Sequence, residues 1–153
     1  MNPKTKKYQI PNAATGIVSE PVALYFPSSF IKNNVLNNMA QNSKELFIKV
    51  LDTTGLTIKV LAENIFEITP KTFIKYKNNE TKIPSRIAEL AIELSTLYEL
   101  GIFVFGNASV FNLWLEKEHP FFNYNKPVQY LNTSTGIHLI YEELKRIEFG
   151  ATA

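Results

Sequence analysis

The sequence predicts an all-α protein, and three observations carry that expectation. Apolar residues recur at spacings of three and four through most of the chain after Ser43. Residues that start or stop helices punctuate those runs: Gly55, Thr69-Pro70, Gly106-Asn107 and Gly150. Strand-like composition is confined to 22–26, a β-branched and aromatic stretch between Pro21 and Pro27.

At 153 residues the chain is one domain's worth, or two small helical units that share a core. With 45% hydrophobic and 20% charged residues, it has enough apolar surface for an ordinary globular core. The absence of cysteine excludes disulfides, cysteine nucleophiles and thiolate metal sites. No apolar run approaches membrane-spanning length, and the opening MNPKTKKYQIPN lacks the apolar centre of a secretory signal; a cytoplasmic location is expected, with no membrane partner.

Charge is unevenly placed. Residues 1–86 hold twelve Lys and Arg against six Asp and Glu, and residues 87–153 hold four against eight. Such asymmetry fits a half suited to phosphate and a half suited to a basic protein surface. It also fits scattered lysines that only keep a small protein soluble.

In chain order, residues 1–42 open lysine-rich and without sustained period, and are expected to be a variable, extended N-terminal segment. Phe30, Ile31, Val35, Leu36 and Met39 offer a helical face there, weakened by four asparagines among them. Ser43 can cap a helix that turns Leu46, Phe47, Val50 and Leu51 inward and ends at Gly55. Thr57 can cap a second, with Ile58, Leu61, Ala62 and Ile65 on one side. Thr69 at the N-cap and Pro70 at the first helical position open a third, and Ile68 can staple onto Phe73. Phe73 and Tyr76 point inward there, which leaves Lys71, Thr72, Ile74 and Lys75 outside.

Two short helices joined by a tight turn have the form of a helix-turn-helix. In that form the second helix enters the DNA major groove, so Thr69, Lys71, Thr72 and Lys75 are the candidate DNA contacts, with Lys77 and Lys82 on phosphate. Two features run against it. One residue too many separates Ala62 from Thr69, and Glu67 stands where a glycine usually turns the chain. A unit that keeps the shape without the DNA contact is the other explanation.

Pro84 opens the longest helix, with a narrow apolar seam at Ile87, Leu90, Ala91, Leu94, Leu97, Tyr98, Gly101, Ile102 and Phe105. The seam can serve the core alone or a homodimer as well. Gly101 within it calls for a neighbour at close range. Gly106 and Asn107 then end one helix and cap the next, whose apolar face is Val110, Phe111, Trp114 and Leu115 and whose end is set by His119-Pro120. Pro127 opens a single turn. Thr133 or Thr135 caps a last helix, where Ile137, Ile140, Tyr141, Leu144 and Ile147 share a face until Gly150.

Catalysis needs a nucleophile, a base or a metal cage in one place. His119 and His138 have no metal spacing to each other or to a carboxylate pair, and the glycines are spread singly. Glu116, Glu118, Glu142 and Glu143 read as a solvated acidic face. No catalytic residue, metal site or cofactor is expected. The chain reads as a binder.

The order of Phe105, Gly106, Trp114, Leu115, Pro120, Pro127, Leu131, Thr135, Gly136, Leu144, Ile147 and Gly150 resembles the C-terminal toxin-binding domain of the Xre/MbcA/ParS antitoxin family. The segment LAENIFEITPKTFIKYK is similar to that family's Xre-like helix-turn-helix. The chain departs from the pattern at 121–125, where FFNYN replaces an apolar-glycine turn. The resemblance implies three parts: a variable extension at 1–42, a helix-turn-helix region at 43–83, and a linking helix with toxin-binding domain at 84–153. It implies an antitoxin that covers the active site of a RES-domain toxin, an enzyme that consumes NAD or transfers ADP-ribose. It further implies a homodimer that represses its own operon at operator DNA. The candidate toxin contacts are Phe121, Phe122 and Tyr124 in the loop, Thr133, Thr135 and Gly136 in the turn, and Glu148, Gly150, Ala151, Thr152 and Ala153 in the tail. Trp114 and Leu115 also match, though an aromatic at helical spacing is more often core. A stand-alone helix-turn-helix regulator, dimerised by its C-terminal half, is the other function that fits.

Overall fold

A computed structural model describes residues 43–150. The expectations for 1–42, and for Ala151, Thr152 and Ala153, lie outside the described residues. Among the described residues six helices follow one another, which fits the all-α expectation. They are α1 (Ser43–Thr54), α2 (Ile58–Val60, running on as a π-helical turn at Leu61–Phe66), α3 (Pro70–Lys77), α4 (Ser85–Phe105), α5 (Ala108–Leu115) and α6 (Ser134–Glu148). Two 3₁₀ turns, Pro120–Phe122 and Pro127–Tyr130, lie between α5 and α6.

The caps fall where side-chain chemistry places them. Thr57, Thr69, Asn107 and Thr133 each accept a hydrogen bond from the backbone N–H three residues on, at 3.3, 3.1, 2.9 and 3.1 Å. Gly55 and Gly106 end α1 and α4 with φ of 64° and 88°. Ser43 is already the first residue of α1. One boundary differs from expectation. Helix α5 stops at Leu115, and His119-Pro120 instead opens the first 3₁₀ turn from extended backbone. Accordingly Val110 is exposed on α5, while Phe111 and Leu115 are buried.

The extra residue between Ala62 and Thr69 has a structural answer. A π-turn accommodates one more residue than an α-turn, and α2 ends in one. Its last carbonyl work falls on Ala62, whose oxygen accepts the N–H groups of both Glu67 and Ile68, the second at 2.9 Å. Glu67 therefore takes the left-handed conformation that a glycine would ordinarily supply, with φ 55° and ψ 43°.

Helix α4 is the axis of the fold. At 21 residues it packs against α1, α5 and α6. Its expected narrow seam is broader than the spacing suggests, because Ala88, Ile92, Ser95 and Leu100 are buried as well. The buried Ser95 is satisfied by donating to the Ala91 carbonyl at 2.9 Å. Gly101 earns its place, since a Cβ there would run into the ring of Phe111.

One apolar core holds two aromatic clusters, at opposite ends of the sequence. Phe47 meets Phe66, Phe73 and Tyr76 with ring centroids 5.6, 4.7 and 5.8 Å apart. Phe111 meets Tyr98 and Phe105 at 5.0 and 5.8 Å, and Trp114 joins them 5.9 Å from Phe111. A polar chain fastens α4 and α5 to the end of α1. The Tyr98 hydroxyl donates to Asn112 Oδ1 at 2.6 Å, and Asn112 Nδ2 donates to the Thr54 carbonyl at the end of α1 at 3.0 Å. Burial, with a smaller contribution from the charge of Glu116, pushes the Tyr98 phenol well above its ordinary pKa.

Candidate functional site

Two surfaces carry the residues that the sequence singles out. The first is the outer face of α3. Thr69 caps the helix, its hydroxyl also 2.9 Å from that of Thr72, while Phe73 and Tyr76 anchor the inner face in the aromatic cluster. Lys71, Lys75 and Lys82 are exposed, and Thr72 and Lys77 are half-buried. Ile74 is exposed among the lysines. The carboxylate of Glu67, which stands where a glycine usually turns the chain, is engaged by two side chains. Oε1 accepts from Asn132 Nδ2 at 3.0 Å and Oε2 lies 3.5 Å from Arg86. The corner between α2 and α3 is thereby joined to the segment that precedes α6.

The second surface lies at the far end of the aromatic cluster. Trp114 is half-buried between Phe105 and the ring of His119, 5.5 and 4.6 Å away, so it is core more than contact. His119 Nε2 lies 2.9 Å from the Trp114 carbonyl, which secures the ring as a stopper behind α5. From that stopper the loop 121–125 closes on itself. The Asn123 and Tyr124 N–H groups donate to the Pro120 and His119 carbonyls at 3.0 Å each, and His119 N–H donates back to the Asn125 carbonyl at 3.3 Å. Asn125 Nδ2 adds a bond to the Phe122 carbonyl at 3.0 Å.

This closure forces an unusual backbone. Asn123 and Tyr124 both have positive φ, 52° and 62°. Asparagine tolerates that region; tyrosine does so at a cost of about 1–2 kcal/mol. The departure FFNYN, where glycine is expected, is therefore folded as though the glycine were there.

The predicted contact residues separate into two groups. Phe122 is buried, its ring tilted against that of Tyr130 with centroids 5.5 Å apart. Gly136 is buried too, packed so closely that a Cβ would strike the Tyr130 carbonyl and lie 2.9 Å from Thr133 Oγ1. These two shape the site from beneath. Exposed above them are Phe121, Tyr124, Thr133, Thr135 and Gly150, with Glu148 half-buried and bound to Lys145 at 2.8 Å.

Between loop and tail runs a shallow open groove lined by Phe121, Glu142, Lys145, Arg146, Phe149 and Gly150. The sequence expectation missed most of it. Glu143, read as part of a solvated acidic face, is 5% exposed and binds Arg146 through both oxygens, at 2.6 and 2.7 Å. The pair raises the pKa of the guanidinium through hydrogen bonding and charge, and holds it 5.6 Å from the Phe121 ring centroid. Two signals were available: the i, i+3 spacing of Glu143 and Arg146, and the position of Glu143 beside Ile140 and Ile147 on the helix surface. Glu116 and Glu142 do face solvent, the first 3.7 Å from Lys126 and the second 3.5 Å from His138. Phe149, at the helix end, is 79% exposed under the Lys145 ammonium.

Among the described residues no group of three or more His, Asp or Glu side chains could hold a metal ion. No described helix is long and apolar enough to cross a membrane. The arrangement offers rings, a fixed guanidinium and backbone turns, which are means of binding.

Residues 100–150 match the family model of the antitoxin Xre/MbcA/ParS C-terminal toxin-binding domain. That stretch runs from the last turn and a half of α4 through both 3₁₀ turns to the end of α6, and so contains the whole second surface. No curated protein matches the chain.

Proposed function

We propose that this protein is the antitoxin of a type II toxin–antitoxin pair, binding its toxin through the surface formed by the loop 121–125, the turn 133–136 and the end of α6. The match of residues 100–150 to a toxin-binding domain carries this reading. The exposed rings of Phe121, Tyr124 and Phe149 on the same segment support it, since exposed aromatics over a rigid base are what a protein interface uses. The toxin is a RES-domain enzyme that consumes NAD or transfers ADP-ribose. A pocket for an anionic dinucleotide is basic, and the acidic balance after residue 87 complements it.

The second activity is repression of the pair's own operon by a homodimer. The capped α3 with exposed Lys71 and Lys75 favours it, and so does the capture of Glu67 by Arg86 and Asn132, which keeps that charge engaged away from DNA.

Co-expression with the product of the neighbouring gene, following growth and cellular NAD, tests the first activity. The neighbour alone is expected to deplete NAD and arrest growth, and this chain to restore both. A harmless neighbour that forms no complex sinks the antitoxin reading and leaves the stand-alone regulator. Charge reversal at Lys71 and Lys75 should abolish salt-dependent operator binding while neutralisation persists. Unchanged DNA binding in that variant removes α3 as the DNA-reading element.

A further inference from the structure

The geometry points to Tyr124 as the anchor of the toxin interface: a ring held outward on a rigid loop, entering a ring-sized concavity of the partner. This rests on the antitoxin reading and adds which side chain carries the affinity. Three observations lead to it.

Tyr124 occupies a left-handed backbone position, φ 62°, directly after another at Asn123. Asparagine and glycine suit such positions, whereas a ring-bearing residue there is strained, and persists only where the surrounding bonds over-determine the chain. Here they do, through the backbone bonds among His119, Pro120, Phe122, Asn123, Tyr124 and Asn125.

The side chain is turned mostly to solvent. Tyr124 is 70% exposed, and among the described residues it has no side-chain hydrogen bond or ring contact. Its neighbour Phe122 supplies the packing beneath the loop. A residue that strains the backbone without stabilising the core points to a use outside the molecule.

The loop is also built as an anchor should be. A tyrosine has few rotatable bonds and a large apolar face with a polar tip, so little freedom is lost when it is buried at an interface. The loop beneath it is closed by bonds at both ends and backed by the contact between the His119 and Trp114 rings, so the ring needs no folding of the loop before it can dock. The partner surface this fits is concave and apolar-walled, with a hydrogen-bonding group at its floor for the phenol.

The test uses the full chain and the purified product of the neighbouring gene. It measures dissociation constants by biolayer interferometry and unfolding midpoints by calorimetry. Tyr124→Gly removes the ring and relieves the backbone together. It is expected to weaken the complex by about 30-fold or more, with the unfolding midpoint unchanged or raised by up to about 3 °C. Tyr124→Phe should keep the affinity within about fivefold, and Asn123→Gly within about threefold, since both leave a ring on the loop. Wild-type affinity in Tyr124→Gly overturns the assignment. A midpoint lowered by several degrees overturns it as well, because the ring would then serve the fold. If the glycine variant turns a dimer into a monomer on light scattering and binds the toxin normally, the ring serves a second copy of this chain and the assignment falls. A wild-type chain that fails to bind the neighbour's product at all instead sinks the antitoxin reading from which this inference starts.

Discussion

The corner between α2 and α3 and the loop after α5 solve the same problem with opposite economies. Each needs a left-handed residue, and each has a side chain where glycine would be easier. At Glu67 the carboxylate is bound on both oxygens, by Asn132 and Arg86, so the strained backbone is matched by contacts across the molecule. At Tyr124 the backbone is held by its own loop, and among the described residues the side chain has no hydrogen bond or ring contact. The lesson is how to tell a structural strain from a functional one. A strained residue whose side chain is satisfied inside the fold is part of the architecture. One whose side chain is free asks for a partner.

Substitutions can break this comparison, and the largest effect is expected where the two corners share a support. Gly136→Ala should destabilise the protein by about 3 kcal/mol, since the added methyl meets the Tyr130 backbone, which cannot swing away. Asn132, the partner of Glu67, sits in the same turn, so the substitution should disturb the α2–α3 corner too. Urea unfolding reads the stability. A loss under about 1 kcal/mol would mean that the turn is pliant and that Glu67 is held less firmly than its geometry suggests.

Next in size is the polar link through α5. Asn112→Leu strands the Tyr98 hydroxyl and the Thr54 carbonyl, at a cost of about 2 kcal/mol. The same tyrosine gives a pH signature. Its raised pKa means that the unfolded chain releases the phenolic proton before the folded one does. The stabilisation is complete below about pH 10 and declines as the pH rises above it. Tyr98→Phe should flatten that alkaline decline in a series of unfolding curves; an unaltered slope would place its origin elsewhere.

The smallest effect is the sharpest. Glu67→Gly relieves the backbone but discards Asn132 and Arg86, each exposed contact contributing about 0.5–1 kcal/mol, so its net change should lie near zero or slightly destabilising. Tyr124→Gly relieves the backbone and discards no side-chain hydrogen bond or ring contact among the described residues. Equal gains in stability from both would show that the Glu67 contacts do no holding, and the distinction between the corners would dissolve.

The elements themselves were legible because their signals are local. Thr57, Thr69, Asn107 and Thr133 cap their helices by a hydroxyl or amide reaching its own backbone, and nothing distant is needed to place them. The extra residue before Thr69 was visible as a misfit, but its housing in a π-turn was not, since that depends on Phe66 being drawn in beside Phe47. The candidate site was half legible. Phe121, Tyr124, Thr133 and Thr135 are exposed at one end of the fold, whereas Phe122 and Gly136 turn inward, and Arg146 had not been marked.

The sequence alone determined the all-α class, the helix boundaries within a few residues, the inward faces of α1, α3 and α6, and the close approach required at Gly101. Tertiary structure alone decided which polar side chains are bound and which are free. A glutamate reads the same in sequence whether it faces water, as Glu142 does, or is buried and bound to an exposed arginine, as Glu143 is to Arg146. Exposure depends on what packs alongside, and α4 brings segments such as Thr54 and Asn112 together from 58 residues apart. Periodicity reports the face a residue occupies; only the packed neighbours fix what that face meets.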